Sequence, residues 1–268
     1  MSDADGLARA LLDLQNLTVR LRAECPWDRA QTARTIVPHT VEEAYEVADA
    51  AMAGEDEKLL DELGDLLFQA FFLSLLLEEK GQGGLTEVAG RLHEKLVRRH
   101  PHVFLTPAEL GSAAAVKRRW EELKTEQEER EGIFHHVPET LPALLYARKL
   151  QRRAAAIEFE YPDTAGALAD LDDELRELRE ALAEAGETPP ESEPHPRVFE
   201  ELGDVLFAAV NVARRVNVDP ELALRAMSKR FAGRVERAER LAAADGKVFT
   251  ELTLEEKDGY FDLAKEMP

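Results

Sequence analysis

The largely apolar stretch Lys58 to Phe72, which reads KLLDELGDLLFQAFF, contains the acids Glu62 and Asp65. Spaced by three, they lie one turn apart on the same face of a helix. Their neighbours Leu59, Leu60, Leu63, Leu66, Leu67 and Phe68 leave the helix almost no polar side. Unpaired buried carboxylates are costly, so protonation, a basic partner or a metal ion is required, unless the pair lies on a solvated stripe. Gly64 between them weakens a helix interior, and its missing side chain leads us to expect a close neighbour there. The pattern recurs in Val198 to Ala208, VFEELGDVLFA, with Glu201, Gly203 and Asp204 in the same arrangement.

The segment before each pair supplies more acids. Glu42, Glu43 and Glu46 form E-E-x-x-E, and Asp173, Glu174 and Glu177 repeat it with Asp in the first place. At about 100° per residue, positions 42 and 46 differ by roughly 40° and positions 43 and 46 by roughly 60°, so all three can face one groove. If the two helices pack antiparallel, Glu62 and Asp65 reach the same groove. Four or five carboxylates gathered there repel one another unless divalent cations sit among them. A set made only of oxygen donors suits Mg²⁺ or Mn²⁺, and is rich enough for more than one ion.

Basic residues follow the acids in both halves. Lys95, Arg98 and Arg99 come after the first set, and Arg230 and Arg234, with Lys229 nearby, after the second. Lys149, Arg152 and Arg153 open the second half, and Trp120 with Lys124 is echoed by Phe261 with Lys265. These are the candidates for holding an anionic, aromatic-bearing substrate; a solvated helix face, or a structural aromatic beside a surface lysine, is the competing reading. His100, His102 and the pair His135-His136 lack the spacing of a tetrahedral zinc site, and Cys25 has no catalytic context.

The elements that must position these groups read as helices throughout. Apolar residues recur at three- and four-residue spacing, with no run of strand-like alternation, so the fold class is all-α. A first helix is expected over Leu7–Arg22, then a loop to Pro38. Thr40 and Glu43 have the spacing of a capping box, which predicts a helix from Val41 to about Ala53, ended by Gly54. The central helix follows from Asp56 to about Lys80, then Leu85–His100 and Ala113–Glu131. In the second half, helices are expected at Leu141–Ala156, from a cap at Asp163 or Thr164 to Ala185, at Arg197–Val216, from Pro220 after a cap at Asp219 to about Ala243, and at Leu254–Lys265. The proline-rich, acidic segment 186–196 reads as a loop. Two domains follow, residues 1–131 and 139–268, joined by a linker at 132–138.

Composition narrows the partners. With 54 acids against 34 bases, the formal charge of −20 argues against nucleic acid polymers, and a phosphate-bearing substrate would need metal ions as intermediaries. One cysteine excludes an internal disulfide and fits a reducing compartment. The acidic N-terminus lacks the basic region of a secretory signal, and no apolar run is long enough to span a bilayer, so no membrane association and a cytoplasmic location are expected.

The motifs CPWDRAQT (25–32), HTVEEAYEV (39–47), LLDELGDLLFQ (59–69), KLVRRHPHVF (95–104), RRWEELK (118–124) and FEELGDVLFAAVNVAR (199–214) together resemble the MazG-type nucleoside triphosphate pyrophosphohydrolases, in their tandem form. The resemblance covers almost the whole chain. It implies two all-α bundle domains assembled as a homodimer, Mg²⁺ as cofactor, and cleavage of nucleoside triphosphates between the α- and β-phosphates with broad base preference. Carried onto this sequence, it implies metal ligands Glu43, Glu46, Glu62 and Asp65 in the first half and Glu174, Glu177, Glu201 and Asp204 in the second. Glu42 and Asp173 become the candidate bases or further ligands, and the Arg and Lys residues above the phosphate contacts. Asp173 is one methylene shorter than Glu, and Tyr161 stands where similar sequences often have tryptophan. A metal or nucleotide sensor without turnover is the alternative; a di-iron bundle is disfavoured because E-x-x-H pairs are missing at the required places.

Overall fold

A computed structural model describes residues 3–104, 132–134, 137–186 and 193–266. Trp120 and Lys124, the helix expected over 113–131, His135-His136 and part of the acidic loop lie outside the described residues. Among those described there is no strand, and the chain is all-α. It divides into two compact units, Met1–Lys124 and Thr125–Pro268, and the segment read as a linker, 132–138, falls within the second.

The first unit opens with α1 (Asp3–Glu24) and the short α2 (Pro26–Ala30), followed by α3 (Ala33–Ala53) and α4 (Asp56–Glu78). Here the expected loop to Pro38 is corrected: α3 begins at Ala33. The cap is Thr32, whose hydroxyl accepts the Thr35 N–H at 3.3 Å while the Thr35 hydroxyl accepts the Thr32 N–H at 2.8 Å. Thr40, expected to cap, instead donates back to the Ile36 carbonyl inside the helix. Pro38 is tolerated in the interior, where it removes one backbone hydrogen bond.

Gly54 ends α3 in the left-handed region, φ 71°, and turns the chain within two residues into α4. Ile36 near the start of α3 packs with Phe72 and Leu76 near the end of α4, which makes the hairpin antiparallel. Arg22 fastens its open end: Nε and Nη2 donate to the two carboxylate oxygens of Glu79 at 2.7 and 2.9 Å, and Nη1 donates to the carbonyls of Asp28 and Gln31. α5 (Leu85–Arg99), which packs on α4, and the single-turn α6 (Pro101–Phe104) complete the described part of this unit.

The second unit repeats the scheme with α7 (Ala143–Ala155), α8 (Thr164–Ala185), α9 (Pro196–Arg215), α10 (Pro220–Ala244), a 3₁₀ turn at Phe249–Glu251 and α11 (Leu254–Glu266). The caps expected at both starts are present: Asp163 accepts the Gly166 N–H, and Asp219 accepts those of Glu221 and Leu222. α8 and α9 form the counterpart of the α3–α4 hairpin. Buried small residues, Ala167 and Ala181 on α8 and Ala208 on α9, suit close helix approach. α10 and α11 pack through Ala238, Ala242, Tyr260 and Ala264. Glu160, in the turn before α8, accepts from Arg214 at 2.7 Å and Arg215 at 2.6 Å and holds the end of α9 to that turn.

The expectation of a close neighbour at Gly64 is also corrected. A side-chain carbon added there, or at Gly203, would meet no heavy atom within 4 Å. Each glycine sits instead in an exposed apolar stripe, Leu60, Leu63 and Leu67 on α4 and Phe199, Leu202 and Leu206 on α9. Among the described residues no helix is long and apolar enough to cross a membrane.

Candidate functional site

Antiparallel packing brings the acids of α3 to those of α4. Glu43, Glu62 and Asp65 each present a carboxylate oxygen within 4.8 Å of the others. Glu46 borders this group, and its charge acts on both Glu62 and Glu43. The Glu62 side chain is only 12% exposed despite its position in an acidic cluster. Burial first, then the neighbouring Asp65, Glu46 and Glu62, push the Glu43 carboxyl above the usual carboxylate range. Burial and Glu46 do the same to Glu62, opposed by Lys58, whose Nζ lies 4.0 Å from it.

The second unit builds the same arrangement on α8 and α9. Oxygens of Glu174, Glu177 and Glu201 lie within 4.8 Å of one another, and the Glu201 side chain is again 12% exposed. Burial, then Asp204, Asp170, Glu177 and Glu201, raise Glu174. Six of the eight acids named as ligands in the sequence thus converge in two groups of three, and the charges of the other two, Glu46 and Asp204, act on them.

The two candidate bases are placed differently. Glu42 is 66% exposed with His39 Nδ1 3.7 Å away, and Asp173 is 71% exposed with Arg176 at 3.6 Å. Neither belongs to the close carboxylate groups. Of the basic candidates, Lys95, Arg98 and Arg230 are exposed and Arg99 and Arg234 half-buried on α5 and α10, the helices that follow each hairpin. On α7, Lys149 is half-buried, Arg152 exposed and Arg153 buried. Lys265 Nζ lies 4.8 Å over the Phe261 ring and 2.7 Å from Asp262, while Phe261 also packs against Phe231.

Several neighbours of the acids went unread in the sequence. Arg197 Nε lies 3.4 Å from Glu201, and Arg176 donates to Glu177 at 3.1 Å. The signal was present, since Lys58 and Arg197 each stand four residues before the central-helix glutamate. A second correspondence needs the fold. The Trp27 ring meets His39 edge-on at 6.0 Å, and the Tyr161 hydroxyl donates to Asp170 at 2.6 Å. His39 and Asp170 each precede the first proposed ligand, Glu43 or Glu174, by one turn, so in each unit an aromatic residue from the segment before the hairpin contacts the residue one turn ahead of that acid.

Two all-oxygen groups of three converging carboxylates, each with a fourth acid acting on it by its charge, fit hard divalent cations such as Mg²⁺ and Mn²⁺, and do not suit zinc. The model of the MazG nucleotide pyrophosphohydrolase domain matches residues 31–104, which contain the whole first group. A Thermotoga maritima protein named nucleoside triphosphate pyrophosphohydrolase/pyrophosphatase MazG is 35% identical over 94% of this chain and 94% of its own. The chain belongs to the MazG family. An Escherichia coli nucleoside triphosphate pyrophosphohydrolase is 37% identical to this MazG chain over 86% of each. A Mycobacterium tuberculosis protein of the same name is 34% identical over 54% of this chain and 44% of its own. The first two alignments are long enough to run through both units.

Proposed function

We propose that this chain is a nucleoside triphosphate pyrophosphohydrolase that cleaves between the α- and β-phosphates to give the nucleoside monophosphate and pyrophosphate. The observation that supports the reading is the pairing, in each unit, of an E-x-x-E helix with an E-x-x-D helix so that carboxylate oxygens converge within 4.8 Å. Glu43, Glu46, Glu62 and Asp65 would hold Mg²⁺ in the first unit, and Glu174, Glu177, Glu201 and Asp204 in the second, with Mn²⁺ able to substitute. Bound there, the cation supplies neutralisation of the triphosphate and a more acidic water.

The chain's own residues do the rest. Glu42 and Asp173, each next in the chain to a proposed ligand and exposed, would accept a proton from water at the α-phosphorus or add a further ligand. Lys95, Arg98 and Arg99, with Trp120 and Lys124, serve the first site. Lys149, Arg152, Arg153, Arg230, Arg234, Phe261 and Lys265 serve the second, holding phosphates and base. An aromatic surface with cations reads charge and a π-face more than base edges, which favours broad base specificity. The two units are read as tandem MazG domains in a cytoplasmic homodimer, with the apolar stripes around Gly64 and Gly203 as the faces for a second copy.

The test is pyrophosphate release from a panel of ribo- and deoxynucleoside triphosphates with Mg²⁺. Wild type is compared with Glu62→Gln/Asp65→Asn, Glu201→Gln/Asp204→Asn and the four-site combination. Each pair variant is expected to lower activity and the combination to abolish it; turnover surviving in the four-site variant would sink the proposal.

A further inference from the structure

The two carboxylate groups differ in what already neutralises them. In the first, among the described residues, Lys58 pairs with Glu62 at 4.0 Å. In the second, Arg197 reaches Glu201 at 3.4 Å and is itself held by Glu184 at 2.5 Å and Glu180 at 3.9 Å. Arg176 bonds Glu177 at 3.1 Å and Glu180 at 2.9 Å, with Asp173 at 3.6 Å. Two of the three converging acids in the second group, Glu177 and Glu201, therefore already accept from a guanidinium, and Glu180 ties both arginines into one network.

Among the described residues, the matching helix positions of the first unit carry no such arginines. Aligning Glu43 with Glu174 puts Tyr45 where Arg176 stands, Asp49 at the place of Glu180 and Ala53 at that of Glu184. Aligning Glu62 with Glu201 puts Lys58, a point charge without forked donors, at the place of Arg197. A cation entering the second group must displace arginine bonds that have no counterpart among the described residues of the first.

We infer that Arg176 and Arg197 are internal counter-cations that weaken divalent-metal binding at the second group, so that the first fills at lower metal concentration. This rests on reading both groups as metal sites, and it orders their occupancy. The arginines are partly solvated, which makes the difference moderate, roughly tenfold in affinity.

The test counts bound Mn²⁺ by electron paramagnetic resonance on the full chain, without nucleotide. Glu201→Gln/Asp204→Asn leaves the first group intact, and Glu62→Gln/Asp65→Asn leaves the second. The first group is expected to bind roughly tenfold more tightly, and Arg176→Gln with Arg197→Gln, added to Glu62→Gln/Asp65→Asn, to recover most of that factor. Arg179→Gln removes the same charge from an exposed position on α8 that makes no bond to the group, and should change affinity less than about twofold. Far-ultraviolet circular dichroism checks that each variant is folded. Equal affinities at the two groups, no tightening on losing both arginines, or equal tightening from Arg179→Gln would each overturn the inference while leaving the metal reading intact. Mn²⁺ binding at neither group would defeat the metal reading, and the inference with it.

Discussion

Glu43 on α3 and Asp65 on α4 bring carboxylate oxygens within 4.8 Å across the first hairpin, and the charge of Asp65 is the largest neighbouring contribution that raises Glu43. Like charges at that separation oppose folding unless a proton or a cation intervenes. Metal binding must displace those protons, because the ligating form is the carboxylate. Adding Mg²⁺ should therefore release protons, more of them as pH falls into the raised range of Glu43, Glu62 and Glu174. Calorimetric titration in two buffers of different ionisation enthalpy measures this, and identical heats at pH 5.5 would contradict it. Mg²⁺ at about 100 times its dissociation constant should also add about 2.7 kcal/mol per site to stability, and the four-site variant should lose that gain.

The acids themselves were legible in the sequence because helix spacing alone puts E-x-x-E and E-x-x-D on single faces. Antiparallel pairing entered the sequence reading only as a condition, which the short turn at Gly54 meets, and the capping aspartates 163 and 219 stand where their types suggested. The start of α3 was not legible: Pro38 reads as a breaker and Thr40-x-x-Glu43 as a cap, yet the reciprocal Thr32–Thr35 bonds begin the helix two turns earlier. Local rules cannot rank two competing caps, and tertiary burial of Ile36 against Phe72 and Leu76 decides between them. Glu160 gathering Arg214 and Arg215 was beyond reach for another reason, since those partners lie more than fifty residues apart in the chain.

That contact gives a pH signature away from the acidic groups. Burial pushes the Glu160 carboxyl up, but bonds from Arg214 and Arg215 outweigh it and hold the group below its ordinary value. A carboxylate lowered in the folded state binds fewer protons there than when unfolded. Its contribution is full above the unfolded value and disappears as pH falls through the folded one. Glu160→Gln should cost about 1 kcal/mol at pH 7 and progressively less as pH falls below the ordinary carboxylate range, by urea unfolding in the absence of metal. A cost that stays constant with pH would show that the ion pairs add nothing.

Phe72 is fully buried between Ile36 and Leu76, at the end of the hairpin away from the acids. Phe72→Ala should cost about 3–5 kcal/mol in unfolding free energy through lost burial and the cavity left behind. Chemical denaturation of the first unit's transition checks it, and a loss under about 1 kcal/mol would mean that the site collapses around the smaller residue.

Gly64 and Gly203 separate what the chain needs from what a partner needs. Each lies in a helix interior where an added methyl meets nothing within 4 Å, so Gly64→Ala and Gly203→Ala should stabilise the folded chain by about 0.5–1 kcal/mol through lower unfolded-state entropy. The same methyl group, placed among Leu60, Leu63 and Leu67 or among Phe199, Leu202 and Leu206, would hold a second helix away from the stripe. Unfolding at concentrations low enough to keep the chain monomeric should thus show the gain, while sedimentation equilibrium should show weaker self-association. A stabilised variant whose association is unchanged would place the dimer contact on another surface; a destabilised monomer would mean that these glycines serve the fold of the single chain.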